Sequence, residues 1–373
     1  MESLKILSAA VADPFTYIRK LKEQSGKKVV GYMCTYAPEE IIFAAGAHPV
    51  RLFSSNRNIL SADSHLQSYC CSLVRGVLED ALSGDLNFLD GMIFPHTCDS
   101  IQRLSDIWRL NITDGFHLDV ILPVKLDTQS ARDYLIEVLH RFRADLEKTL
   151  QIKIPDDAIR KSITLYNEIR SGLKKVYDLK NDYPEIISGQ DLYTLIKAAM
   201  IMERNDYLKI LQGAVKELQK SSDQVKQTKA KRLILSGGIC SHPDIYSVIE
   251  DAGGVVVGDD LCTGSRYFAG IIDETGAPIT ALARRYWERP ICPAKHQDKN
   301  DRAQTLIKIA QESKAAGVIF MLLKFCDPHA FDYPYLKDAL DKAGIPHLLL
   351  EVEDQPAAQG QLKTCIEAFM ETL

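Results

Sequence analysis

GVIFMLLKFCDP, from Gly317 to Pro328, and GMIFPHTCDS, from Gly91 to Ser100, share one form: an apolar run of strand length, a turn, then Cys-Asp. A short continuous apolar run bounded by turn residues is the pattern of a strand buried on both faces. Comparable runs surround each: KKVVGYMC, HPVRLF and DVILPVKL near the first, and KRLILSGGIC, GGVVVGDDLC and PHLLLEVED near the second. Stretches of helical periodicity such as PEEIIFAAGA and CSLVRGVLEDALSG lie between them. Strands alternating with helices predict parallel sheets covered on both faces, an α/β fold. From about Ser130 to Gln227 the strand pattern gives way to helical periodicity, as in ARDYLIEVLHRFRADLEKTL. The expected organisation is an N-terminal helix over residues 1–27, capped by Asp13 with Pro14 in its first turn,. A first α/β domain over 28–129, a helical domain over 130–228 and a second α/β domain over 229–373 follow it, and the two α/β parts look like a loose duplication.

The bulk properties exclude several classes. At 373 residues the chain is long for one core,. A formal net charge of −5 leaves no basic excess of the kind that nucleic-acid binding needs,. The longest apolar stretches, such as Val318 to Leu323, fall far short of the ~20 residues of a membrane span,. The opening MESLKILSAAVADPF has no basic stretch followed by a cleavage site, so a cytoplasmic location is expected,.

In a reducing compartment the nine cysteines are expected to be free, catalytic or metal-bound,. No Cys-x-x-Cys occurs, which argues against a zinc ribbon, a thioredoxin-like site and a ferredoxin-type run,. Cys34, Cys98, Cys240, Cys262 and Cys326 each fall at or near the carboxyl end of a predicted strand, the edge where open parallel sheets bind ligands,. Taken alone, each could be a small buried hydrophobe; their joint placement is what points to a site. Cys71 and Cys98 directly precede predicted helices, where the helix dipole is expected to lower a thiol pKa.

The segments GYMCTYAPEEIIFAAGAHPVRLF, CSLVRGVLEDAL, FPHTCDSIQRLSDIW, DDLCTGSRYF, RPICPAKH and LLKFCDPHAFDYP together resemble the 2-hydroxyacyl-CoA dehydratase and benzoyl-CoA reductase family, in order and over nearly the whole chain. The resemblance implies two Rossmann-like (flavodoxin-like) parallel-sheet domains with a helical middle segment and an iron–sulfur cluster in the cleft. Its three [4Fe-4S] ligands correspond to Cys71, Cys98 and Cys326. The double-cubane branch, with an [Fe8S9] cluster, adds cysteines matching Cys34, Cys262 and Cys292, and all six are present. The expectation therefore leans to that branch. Of the adjacent Cys70 and Cys71, Cys71 aligns with the Cys-Ser of the family pattern, and Cys240 and Cys365 are left as structural.

The function so implied is an iron–sulfur reductase. It would accept low-potential electrons from an ATP-hydrolysing iron–sulfur activator protein, reduce a small molecule, and act without oxygen as a homodimer. Two alternatives stand beside it: a [4Fe-4S] subunit of a 2-hydroxyacyl-CoA dehydratase or benzoyl-CoA reductase-type enzyme acting on an acyl-CoA, and a non-catalytic electron carrier. No Walker A loop occurs in this chain, so ATP coupling would come from the partner,. Arg266 in TGSRYF is the preferred substrate or cluster-neutralising cation. His96 is either a proton donor near Cys98 or a satisfied turn histidine. Lys324, Asp327 and Lys295 sit beside proposed ligands and either balance charge or pair locally,. Tyr32, Tyr36 and Tyr267 read as core aromatics with wet hydroxyls, and Glu39 and Glu40 as helix-start stabilisers,.

Overall fold

A computed structural model describes residues 2–55, 57–222, 229–239, 244–297, 302–353 and 359–373. The apolar runs become eight strands: β1 Val29–Tyr32, β2 His48–Arg51, β3 Gly91–Pro95, β4 Phe116–Val120, β5 Lys231–Gly237, β6 Gly254–Asp260, β7 Gly317–Leu323 and β8 His347–Val352. They form two four-stranded sheets, ordered β2-β1-β3-β4 and β6-β5-β7-β8, with every pairing parallel. Each sheet repeats one topology, second-first-third-fourth in its own chain order, so the α/β expectation and the duplication hold. Every residue of β3 and β7, the two runs in the opening motifs, is buried. In this topology the chain reverses direction across the sheet between β1 and β3 and between β5 and β7, which opens a crevice at the carboxyl ends of those strands.

Asp13 caps the helix Pro14–Ser25, accepting from the Thr16 backbone N–H at 3.1 Å. Between the sheets run four helices, Gln129–Leu150, Asp156–Asp182, Gly189–Ile201 and Arg204–Ser221. Among the described residues, no helix is long and apolar enough to cross a membrane.

Glu39 and Glu40 do more than open their helix. Both are buried; Arg204 Nη2 lies 3.0 Å from Glu39 Oε2, and Arg170 pairs with Glu40. Burying a carboxylate is tolerable only with a cation and further hydrogen bonds, and Tyr166 and Tyr267 hydroxyls supply these to Glu39 at 3.4 Å,. The helix that follows the Cys34 loop is thereby fixed to the helical segment.

His48 in β2 is a second such anchor, its Nε2–H donating to the Ile201 carbonyl at 2.8 Å. Burial, helped by the Arg204 charge, lowers its pKa to about 3. The unfolded chain takes up this proton near pH 6.5 and the folded one refuses it, so the contribution is complete above 6.5 and is lost as pH falls toward 3,. His48→Gln keeps the donor but not the titration. Between pH 6.5 and 5 the wild type should lose ~2 kcal/mol more than this variant in urea unfolding, and equal losses would contradict the assignment.

Candidate functional site

The crevice is where the cysteines gather. β1 ends at Tyr32 and delivers Cys34, and β6 ends at Asp260 and delivers Cys262. Beyond β3, Cys98 is the N-cap of the helix Asp99–Asn111. Beyond β7, Phe325 takes a left-handed φ of 62° and turns the chain so that Cys326 is the N-cap of the helix Asp327–Lys342. Cys71 is the N-cap of Ser72–Leu82, and Cys292 follows the helix Pro278–Glu288. The positive ends of three helices thus lie at Cys71, Cys98 and Cys326,.

The six sulfurs act on one another. Burial pushes the Cys98 thiol up, and the charges of Cys71, Cys326 and Cys34 add to it. Burial and then Cys71 push Cys326 up to about 12, with Cys262 also contributing. The hydrogen bond with Cys292 holds the Cys262 thiol low, helped by the cations Arg266 and Arg51, while Cys292 in turn feels Cys34. The helix-dipole expectation fails for Cys98 because burial outweighs the dipole,. Cys70 Sγ lies 3.9 Å from Gln67 Oε1, and burial raises its pKa. Cys365 sits in the terminal helix Gln359–Thr372, and Cys240 lies outside the described residues.

Buried cations back the thiols. Arg266 Nη2 is 3.4 Å from Cys262 Sγ, and Asp260 holds Arg266 Nη1 at 3.2 Å while also pairing with Arg302 at 2.9 Å. Arg51 donates to the Cys262 carbonyl at 2.9 Å and to Met33 O at 3.2 Å. Lys295 Nζ lies 3.4 Å from Leu122 O, and Arg289 Nη2 is 3.1 Å from Thr35 O. Arg51 and Lys295 are each 2% exposed, and among the described residues neither has a carboxylate within ion-pair distance. Arg266 Nε is buried with no protein acceptor. Buried cations with an orphaned donor among them suit an anionic group with sulfur acceptors. Among the described residues, no three His, Cys, Asp or Glu side chains close around one point as a single metal ion requires. Thiols brought in on separate loops suit a polynuclear cluster more than a single ion.

A cavity of about 620 Å³ opens onto Cys98 and is lined by Lys295, Thr97, Gln297, Phe331 and Tyr335 among others. Tyr36 and Tyr267 find protein partners rather than water: the Tyr36 hydroxyl accepts from Cys292 N at 3.4 Å, and Tyr267 reaches Glu39. The Tyr32 hydroxyl is buried without a partner.

Of the residues singled out beside the thiols, Arg266 and Lys295 come to the site. His96 turns to Asp119, its Nε2 2.8 Å from Oδ1, which corresponds to the satisfied turn histidine. Lys324 is 48% exposed and faces Glu353 at 3.5 Å. The sequence reading missed Arg51, Arg289 and His329. His329 has Nδ1 3.3 Å from Cys326 Sγ, and its signal was the three-residue spacing from a cysteine at a helix start.

Fold and site define an α/β protein of two like sheets with a cation-backed cysteine cavity at their carboxyl ends. The chain belongs to the family described as HGD-D: 2-hydroxyglutaryl-CoA dehydratase, D-component, whose model matches residues 34–373. It is 31% identical over 363 residues to the (R)-phenyllactyl-CoA dehydratase beta subunit of Clostridium sporogenes, covering 97% of this chain and 96% of that one. It is 30% identical to a benzoyl-CoA reductase subunit of Thauera aromatica, covering 96% and 94% of the two chains. To the (R)-2-hydroxyglutaryl-CoA dehydratase beta subunit of Acidaminococcus fermentans it is 28% identical, with 97% and 96% covered.

The gathering of thiols is testable without metal. Mild oxidation of metal-free protein with diamide should link Cys262 to Cys292 first, as read by mass spectrometry of its peptides. A disulfide formed first at Cys70 would contradict the arrangement.

Proposed function

We propose that Cys34, Cys71, Cys98, Cys262, Cys292 and Cys326 hold an [Fe8S9] double-cubane cluster, and that the protein is a reductase. It takes low-potential electrons from an ATP-hydrolysing iron–sulfur activator protein, passes them to a small molecule, and works as a homodimer. The observation that supports this reading is that six thiols, rather than three, lie near enough for their charges to act on one another. When bound, such a cluster supplies single electrons at low potential.

The chain's own residues do the rest. Arg266, Arg51 and Lys295 offset the negative charge of thiolates and cluster, and the three helix N-termini add to this,. Tyr36 and Ile291, both buried, keep water from the Cys292 side. The cavity at Cys98 admits the substrate beside Lys295, whose Nζ holds a proton at the cavity wall. Burial lowers the pKa of that ammonium to about 8, which brings its release within the range of neutral-pH chemistry,.

A second reading makes the chain a [4Fe-4S] subunit of a 2-hydroxyacyl-CoA dehydratase or benzoyl-CoA reductase-type enzyme. It is favoured by one feature: Cys71, Cys98 and Cys326 alone are the helix N-caps, a triad complete without the other three. The names of the relatives accord with it.

Cys262→Ala separates the two. On protein made without oxygen it should remove about half the iron and abolish the bleaching of visible absorbance driven by activator and ATP. Unchanged iron would favour a single cubane. Cys70→Ala should leave iron content as in the wild type.

A further inference from the structure

His329 is buried, 6% exposed, at the third position of the helix that Cys326 caps. One helical turn brings its ring back to the N-cap, with Nδ1 3.3 Å from Cys326 Sγ,. Its other nitrogen, Nε2, lies 3.3 Å from Arg266 Nη2. A ligating Cys326 is a thiolate with no hydrogen to give, so at this distance the ring hydrogen must sit on Nδ1 and point at the sulfur. Nε2 then offers its lone pair toward Arg266, whose Nη2 gives one of its two hydrogens to the Gly237 carbonyl and turns the other toward Nε2 and Cys262 Sγ. The same Nη2 is 3.4 Å from Cys262 Sγ, and Asp260, itself paired with Arg302, fixes the guanidinium from behind.

We propose that His329 is a positioning residue that donates an N–H···S hydrogen bond to the thiolate of Cys326. Arg266, whose Nη2 lies against both its Nε2 and Cys262 Sγ, links a thiol of the Cys71/Cys98/Cys326 set to one of the Cys34/Cys262/Cys292 set through a single side chain. This rests on the cluster reading above. Hydrogen bonds to ligand sulfur favour the electron-rich reduced form and raise the potential, so this pair tunes how readily the site accepts an electron. No proton is transferred; the imidazole stays neutral and holds one hydrogen throughout.

The test uses full-length protein purified without oxygen. His329→Asn sets an amide N–H near the place of Nδ1–H. His329→Gln reaches the place of Nε2 instead, and His329→Leu has no donor. In redox titrations followed by electron paramagnetic resonance, the Asn variant should keep the wild-type potential, and Gln and Leu should shift to more negative values with iron retained. Equal potentials in all four proteins would overturn the proposal; should Leu lose iron, the comparison of Asn with Gln decides. A second readout does not need the cluster. In metal-free protein the same donor stabilises the Cys326 thiolate, so alkylation of Cys326 by iodoacetamide, read by mass spectrometry, should be slower in Gln and Leu than in the wild type and Asn; equal rates in all four would overturn the proposal. That pattern in a chain that never binds iron would sink the cluster reading and leave the bond to Cys326 standing.

Discussion

Buried cations need compensating charge, and that constraint organises this molecule. Arg51, Arg266 and Lys295 are each buried among thiols, and among the described residues the only carboxylate paired with any of them is Asp260, which Arg302 shares. Isolated, such cations would cost several kcal/mol apiece in desolvation. Cys262, held low by Cys292 and by Arg266 and Arg51, offsets part of this charge, while burial disfavours the thiolates of Cys98 and Cys326. On the cluster reading the balance closes when those thiols are deprotonated too, because ligation requires thiolates and releases their protons. In this account the cations, the helix N-termini and the thiols are one device.

The fold supplies the geometry for that device by using one topology twice. Each sheet opens a crevice between its first and third strands; Cys34 and Cys98 leave those two strands in one sheet, while in the other Cys326 leaves the third strand and Cys262 the neighbouring edge strand. Bonds across the cavity join the halves, as Arg51 does to the Cys262 carbonyl and Arg289 to Thr35 O. Buried ion pairs from Glu39 and Glu40 then tie the Cys34 side to the helical segment. Ligands drawn from six loops can be held to a fraction of an ångström only if the elements carrying them are rigid.

What was legible in the sequence was local. Apolar runs, turns and the Cys-Asp that follows them gave β3 and β7, the helix starts at Cys98 and Cys326, and the duplicated α/β pattern. What was not legible depends on contacts between residues far apart in the chain. Arg51 meets Cys262 across a separation of 211 residues, and nothing in HPVRLF announces it. Nearness in sequence also misled: His96 and Lys324 each stand two residues before a proposed ligand, but both lie past the end of their strand, where residues two apart no longer share a face, and their side chains turn to Asp119 and Glu353,. The thiol pKa was misjudged at Cys98 because the helix dipole is visible in a sequence and depth of burial is not.

The central claim is that these six thiols hold one cluster of two cubanes. Iron and acid-labile sulfide per chain, measured on protein purified without oxygen and paired with the electron paramagnetic resonance spectrum of the reduced form, test it most directly. About eight irons per chain is the predicted result. About four would assign the protein a single cubane on Cys71, Cys98 and Cys326, and zinc or no metal would contradict the account.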